Sequence, residues 1–301
     1  MTQPNTVLKT TPEIAVTATP LPPRKAAPPT QRPALPGRSH YRGTPGAGTS
    51  RTISAATIAM VLALWWSATH FGWIKPLFLP SPELTFKAFV DAIHGNTQGQ
   101  TPLLNHVLVS LARVFSAFFL AVLTAVPLGI AMGASRIVRG IFDPLIEFYR
   151  PLPPLAYLPL IVIWLGIDEG AKVTLIYLAC AAPLAMAAQA GVRGVAIEQI
   201  NAAYALGGSR WQIITLVILP AALPEILTGM RIAIGFGWTT LVAAEMVAAS
   251  VGLGQMVLNA SNFLRTDIVI MGIIIIGILA YLFDTLMRQA ERRLTPWKGR
   301  M

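Results

Sequence analysis

The stretch NAAYALGGSRWQIITLVILP, residues 201–220, decides how the rest of the chain is read. It sits among strongly apolar segments, yet it makes a poor membrane span. Residues 198–206, EQINAAYAL, predict a helix with polar positions at Glu198, Gln199 and Asn201. Gly207 and Gly208 end it, because glycine suits the left-handed geometry of helix C-termini. Ser209 is placed to cap a second helix, with Gln212 three residues on to complete a capping box. Leu219-Pro220 is expected to stop that helix, since proline lacks the N–H donor and its ring clashes with the preceding turn. Helix, glycine turn, helix, proline: this pattern predicts a rigid knob at a membrane surface, shaped for another protein to grip.

The composition supplies the membrane. Of 301 residues, 54% are hydrophobic and 12% charged, about half the charged fraction of soluble domains. Several apolar runs approach the ~20 residues that cross a bilayer. The net charge of +10 does not point to nucleic acid, because the basic residues lie in tails and loops around an apolar body, where they read as topology signals. The single cysteine, Cys180, lies in an apolar run and has no His or Cys at metal-ligand spacing. Packing is its expected role.

Working outward, residues 1–50 are rich in Pro, Thr, Ala and Arg without hydrophobic periodicity, and predict a disordered tail. A six-span body is expected over 51–290, with the knob inside 195–224, and a basic tail over 291–301. Ile53 to Trp73 is the first span, with interfacial aromatics at its far end. FLPSPELTFKAFVDAI predicts a surface helix initiated by Pro82 after Ser81, with Glu83 in its first turn. His106 to Met132 is the second span. Gly133 to Gly140 is a short basic loop. Ile141 to Ile167 is the third span and the irregular one, with Pro151, Pro153, Pro154 and Pro159. Broken backbone at membrane depth is tolerated inside protein or beside a water-filled cavity, so this span is expected at the bundle interior. Val173 to Gln189 is the fourth span, alanine-rich and suited to close packing. Thr228 to Ser250 is the fifth and Ile268 to Met287 the sixth, joined by a loop with room for a short helix.

Charge fixes the orientation of this scheme. One side collects the basic residues of both tails together with Arg136, Arg139, Arg193 and Arg210; the other has only Lys75, Lys87, Lys172 and Arg265. Basic residues favour the cytoplasm, so both termini and the knob are expected to face inward. A seventh span over 211–223 conflicts with Pro220 and Pro224 and would put one basic tail outside. No internal repeat of the secondary-transporter kind is visible. There is no phosphate-binding G-x-x-x-x-G-K-[ST] loop, no H-E-x-x-H and no G-x-S-x-G elbow. The chain therefore reads as a transport component rather than an enzyme, with energy from a partner or an ion gradient.

The knob resembles the EAA loop of ABC importer permeases, written E-A-A, three residues, G, nine residues, I, any residue, L-P. Ala202, Ala203, Gly207, Leu219 and Pro220 match at the right spacing; Asn201 stands where the family prefers glutamate and Val217 where it prefers isoleucine. From His106 to Lys298 the resemblance widens to the permeases of sulfonate, taurine and nitrate importers, the taurine branch most. It is carried by FDPLIEFYRPLPPLAYLPLIVIWLGI (142–167), LPEILTGMRIAIGFGWTTLVAAEM (223–246) and RRLTPW (292–297). What the resemblance implies is an all-α, type I importer permease of the bacterial inner membrane. It would work as a homodimer of six-span subunits with two cytoplasmic ATPase subunits and a periplasmic binding protein. The permease itself would carry no cofactor, ATP and magnesium being held by the ATPases. The coupling residues would be Asn201, Ala202, Ala203, Gly207, Ser209, Arg210, Leu219 and Pro220. The loops 77–105 and 251–267 would meet the binding protein.

Several residues are candidates for a substrate path. Glu245 is an acid within an apolar run and suits the ammonium of a zwitterion; hydrogen bonding within the bundle explains it equally. Glu147 and Arg150 share a helix face at i, i+3 and are expected to pair, either lining the cavity or bracing the Pro-rich break. Trp238, Thr239 and Thr240 form a small polar and aromatic patch in the fifth span, where packing is the plainer reading. Arg113 and Arg231 lie near span ends, where long side chains snorkel. A gradient-driven transporter using Glu147, Arg150 and Glu245 as a relay is the alternative, and it has no need of the 201–220 knob. Nitrate or another small organic anion is the alternative substrate.

Overall fold

A computed structural model describes residues 51–95 and 101–297. The expected disordered tail, 1–50, lies outside the described residues, as do 298–301. The described chain is helical, with no strand, and five of its helical runs are long and apolar enough to cross a membrane. A pair of shorter helices bent by 104° brings the number to six if the two together count as one span.

The first span is α1, Arg51–His70, whose apolar window buries no residue within the chain. Trp65 and Trp66 tie its end to the next element, donating from Nε1 to Pro80 O (3.0 Å) and Glu83 Oε1 (3.1 Å). That element is α2, Pro82–Ile93, which starts as its sequence predicts: Ser81 caps it, accepting from Leu84 N–H, with Pro82 in the first turn.

The core is built from three helices: α3 (Leu103–Ala134), α6 (Glu169–Arg193) and α9 (Leu219–Ala248). Val114, Ala121, Leu184, Ala185, Ile234 and Leu241 are buried between them. Apolar burial does not drive association inside a bilayer, so close backbone approach and van der Waals contact must hold these helices. A Cβ at Gly229 would lie 2.1 Å from Ala187 Cβ, so α9 sits against α6 at a separation that only glycine permits. Cys180 is part of this seam, buried with Sγ 3.3 Å from Ala233 O.

Three expected boundaries are corrected. Ser135 alone separates α3 from α4 (Arg136–Tyr149), so Arg136 and Arg139 lie on a helical turn and not in a basic loop. The Ser135 hydroxyl caps that turn and makes a loop unnecessary. The last helix, α11 (Thr266–Leu294), runs on past Met287 into the expected basic tail. Most importantly, Leu219-Pro220 does not stop the knob's second helix. α8 (Arg210–Ile213) passes through a π-helical turn, Ile214–Ile218, directly into α9. The wider turn offsets the register before Pro220, whose missing N–H then falls in the first turn of α9. Arg210–Ala248 is thus one 39-residue helical run, about 58 Å long at 1.5 Å per residue. The fifth span begins within the knob and not at Thr228.

The irregular third span breaks where the prolines predict. α4 ends at Tyr149 and α5 (Pro154–Leu165) starts at a proline. Its expected interior position is not found within the chain. Glu147, Phe148, Arg150, Ile163 and Trp164 are exposed, and only Ile146, Leu158 and Ile161 are buried. The break instead borders a cavity of about 240 Å³, walled by residues 149–154, Tyr157, Leu178 and Phe236. This satisfies the other condition under which open backbone survives at membrane depth. α10 (Leu253–Asn262) fills the expected loop before α11.

Candidate functional site

The knob is a hairpin of α7 (Ile197–Ala205) and α8. Gly207 turns the chain with φ +82°, and Gly208 N–H donates to Ala203 O (3.0 Å). The capping box forms in both directions: Ser209 Oγ accepts from Gln212 N–H (3.4 Å), and Ser209 N–H donates to Gln212 Oε1 (2.9 Å). Ile213 and Ile218 root the hairpin against Ala188, Val192 and Ala222. The tip is left bare. No residue of α7 is buried; Leu206 is 89% exposed and Trp211 74%. Asn201, Ala202, Ser209 and Arg210 are exposed around them, while Ala203 is half-buried, and Leu219 and Pro220 lie further along the same helical run. Apolar side chains held out on a rigid hairpin suit a partner's groove.

The opposite end, where α3 and α6 begin and α9 finishes, is closed by an internal polar cluster. Arg113 is 4% exposed and does not snorkel. Its Nε and Nη2 donate to the two oxygens of Glu169 (both 2.6 Å), and Nη1 donates to Glu245 Oε1 (2.8 Å) and Val251 O (2.6 Å). A cation this deep needs partners on every side, and three segments supply them. Glu245, wholly buried, also accepts from Ser110 Oγ (2.7 Å) and from Gly254 N–H (2.9 Å). Leu253 N–H donates to Ser110 Oγ (2.9 Å), and His106 Nδ1 lies 3.0 Å from Gly252 N and 2.9 Å from Gly252 O. Lys172 Nζ donates to Glu169 Oε1 (2.8 Å). The turn after α9 is shaped to fit: Gly252 has φ +149°, and a Cβ there would lie 2.5 Å from the Glu245 carboxyl.

The six residues singled out for a path do not converge. Glu245 sits in the cluster just described. Glu147 and Arg150 are both exposed and form no ion pair with each other; Arg150 borders the cavity at the break. Trp238 and Thr239 wall a groove between α9 and α11, and Thr240 is buried. Arg231 is half-exposed in that groove, paired with Asp284 (3.1 Å) and Glu291 (3.2 Å). Among the described residues no metal-ligating cluster is present. Sequence reasoning missed Ser110, Glu169, Lys172 and Gly252. The available signal was Arg113 itself: a cation inside a span requires an acid from elsewhere.

A family model described as binding-protein-dependent transport system inner membrane component matches residues 125–296. The taurine transport system permease protein TauC of Escherichia coli is 52% identical over 82% of this chain and 90% of its own length. The putative aliphatic sulfonates permease SsuC of Bacillus subtilis is 35% identical over 80% of this chain and 86% of its own. The nitrate import permease NrtB of Synechocystis is 30% identical over 82% and 90%. Among solved structures, an inward-facing MetNI methionine ABC transporter superposes with a TM-score of 0.58 at 20% identity, covering 64% of this chain and 96% of that one. The last likeness speaks to the fold alone. The chain belongs to the binding-protein-dependent family of inner-membrane transport components, in its sulfonate, taurine and nitrate group, and is a transport subunit rather than an enzyme.

Proposed function

We propose that this family member is the membrane-spanning subunit of an ATP-driven importer for 2-aminoethanesulfonate (taurine) or a close alkanesulfonate. The observation that carries this reading is the step in identity: 52% to a taurine permease, against 35% to a sulfonate permease and 30% to a nitrate permease, at similar coverage. Two copies work with two cytoplasmic ATPase subunits and a periplasmic binding protein. The hairpin at 197–213 is the ATPase contact, supported by its bare apolar tip and its rigid capping. The distribution of Lys and Arg supports cytoplasmic termini and a cytoplasmic hairpin. The end closed by Arg113 and Glu245 then faces the binding protein, with α2 and α10 on that side. Arg150, exposed at the cavity beside the helix break, is the cation best placed to meet a sulfonate in transit. Glu245 is committed to Arg113 and holds the outer end together instead of binding an ammonium.

The test is ATP hydrolysis by the reconstituted permease with its ATPase and binding protein. Stimulation by taurine-loaded binding protein, lost in Gly207→Pro, is the expected result. Uptake that follows a proton or sodium gradient, with no ATPase co-purifying, overturns the reading.

A further inference from the structure

The groove between α9 and α11 has a volume of about 620 Å³ and is apolar along most of its length, with Ile234, Val242, Ile276 and Ala280 among its walls. It ends at the Arg231–Asp284 pair. Beyond that pair lies a polar recess of about 460 Å³ lined by Arg231, Arg288, Glu291, Arg292, Thr295 and Pro296. Arg231 belongs to both, so the two form one slot, oily at one end and cationic at the other. The α9 wall from Arg231 to Val242 is about 16 Å long at ~1.5 Å per residue. That is close to half of a ~30 Å hydrocarbon core, the depth of one leaflet.

Three features say what fits. The recess has guanidinium groups to offer beyond its acids: Arg292 is exposed and makes no ion pair among the described residues, Arg231 directs only Nε and Nη1 to acids, and Arg288 gives only Nη2 to Asp284. Trp238, 6% exposed and lining the groove, has an indole N–H with no acceptor among the described residues. The nitrogen itself is shielded from the groove, so Trp238 contributes its aromatic face to the wall. Finally, the walls are too apolar to hold a small zwitterion, which would lose its hydration without replacement. A second copy of this chain fits poorly too, since apposing two such recesses would bring surplus arginines together.

We infer that the slot holds an anionic phospholipid, with an acyl chain along α9 and α11 and its phosphate at Arg288 and Arg292. The lipid comes from the cytoplasmic leaflet; this part of the assignment rests on the orientation proposed above, whereas occupancy of the slot does not.

The experiment is native mass spectrometry of the full permease purified in mild detergent and exposed to mixed phosphatidylglycerol and phosphatidylethanolamine. Wild type is expected to retain phosphatidylglycerol. The double variant Arg288→Gln/Arg292→Gln is expected to lose it roughly thirtyfold, as two basic groups near an anionic surface contribute. Ala280→Phe, which fills the groove and leaves the arginines in place, is expected to give the same loss. Inorganic phosphate at millimolar excess should not compete. Equal retention by wild type and both variants overturns the inference. So does efficient cross-linking between two copies through Ala280→Cys, which would put a second subunit in the groove. Failure of either kind leaves the importer reading intact, and taurine-stimulated hydrolysis reports on that reading separately.

Discussion

At the end of the bundle where α6 begins, Glu245 is wholly buried and both of its oxygens are occupied by donors from α3 and from the turn after α9. At the end where α6 finishes, Leu206 is 89% exposed and α7 buries nothing. Both regions are polar interruptions of an apolar chain, yet one satisfies itself and the other offers its surface. The difference separates stability from function: damage to the first should be felt by the lone subunit, and damage to the second only in the assembled transporter.

The largest expected effect is that of Glu245→Ala. It strips Arg113 of a buried partner and leaves Gly254 N–H without an acceptor, and breaking a buried pair costs about 3–5 kcal/mol. Thermal unfolding of the solubilised protein should fall sharply. An unchanged midpoint would break the comparison at its firmer end. Gly252→Ala follows, about 1–3 kcal/mol for a side chain forced into a conformation reserved for glycine, worsened by contact with the carboxyl. The same melt measures it, and Gly235→Ala, which meets open space, is the control. At the other end, Leu206→Asp should leave the melt within about 0.5 kcal/mol of wild type while abolishing stimulated ATP hydrolysis in the complex. A variant that unfolds the lone subunit instead would show the hairpin to be structural. Ser209→Ala is expected to cost about 1 kcal/mol of stability for a lost cap. It sharpens the comparison if hydrolysis falls further than the melt does.

Legibility in the sequence follows the range of the interaction. The caps at Ser81 and Ser209 and the glycine turn at 207–208 depend on residues within a few positions of one another, and the structure has them where the sequence puts them. The Pro-rich break between α4 and α5 was legible for the same reason. Its exposure was not, because which face a broken helix shows depends on neighbours far along the chain. Arg113 and Glu245 were visible as isolated charges, but the pair joins positions 132 residues apart, and helix periodicity carries no information about that separation. Pro220 misled through a sound local rule. The π-helical turn before it absorbs the clash, and no motif announces such a turn.

That turn leaves the exposed hairpin and the fifth span as a single rod. Near its middle the rod is pressed against α6, at Gly229 on Ala187. It is also seated on α6 to either side of that point, Ala222 against Gly191 and Gly237 against Cys180, so the rod lies along α6 as a seam and not on a single pivot. The tip beside Trp211 and the end where Glu245 is anchored thus belong to one continuous helical run.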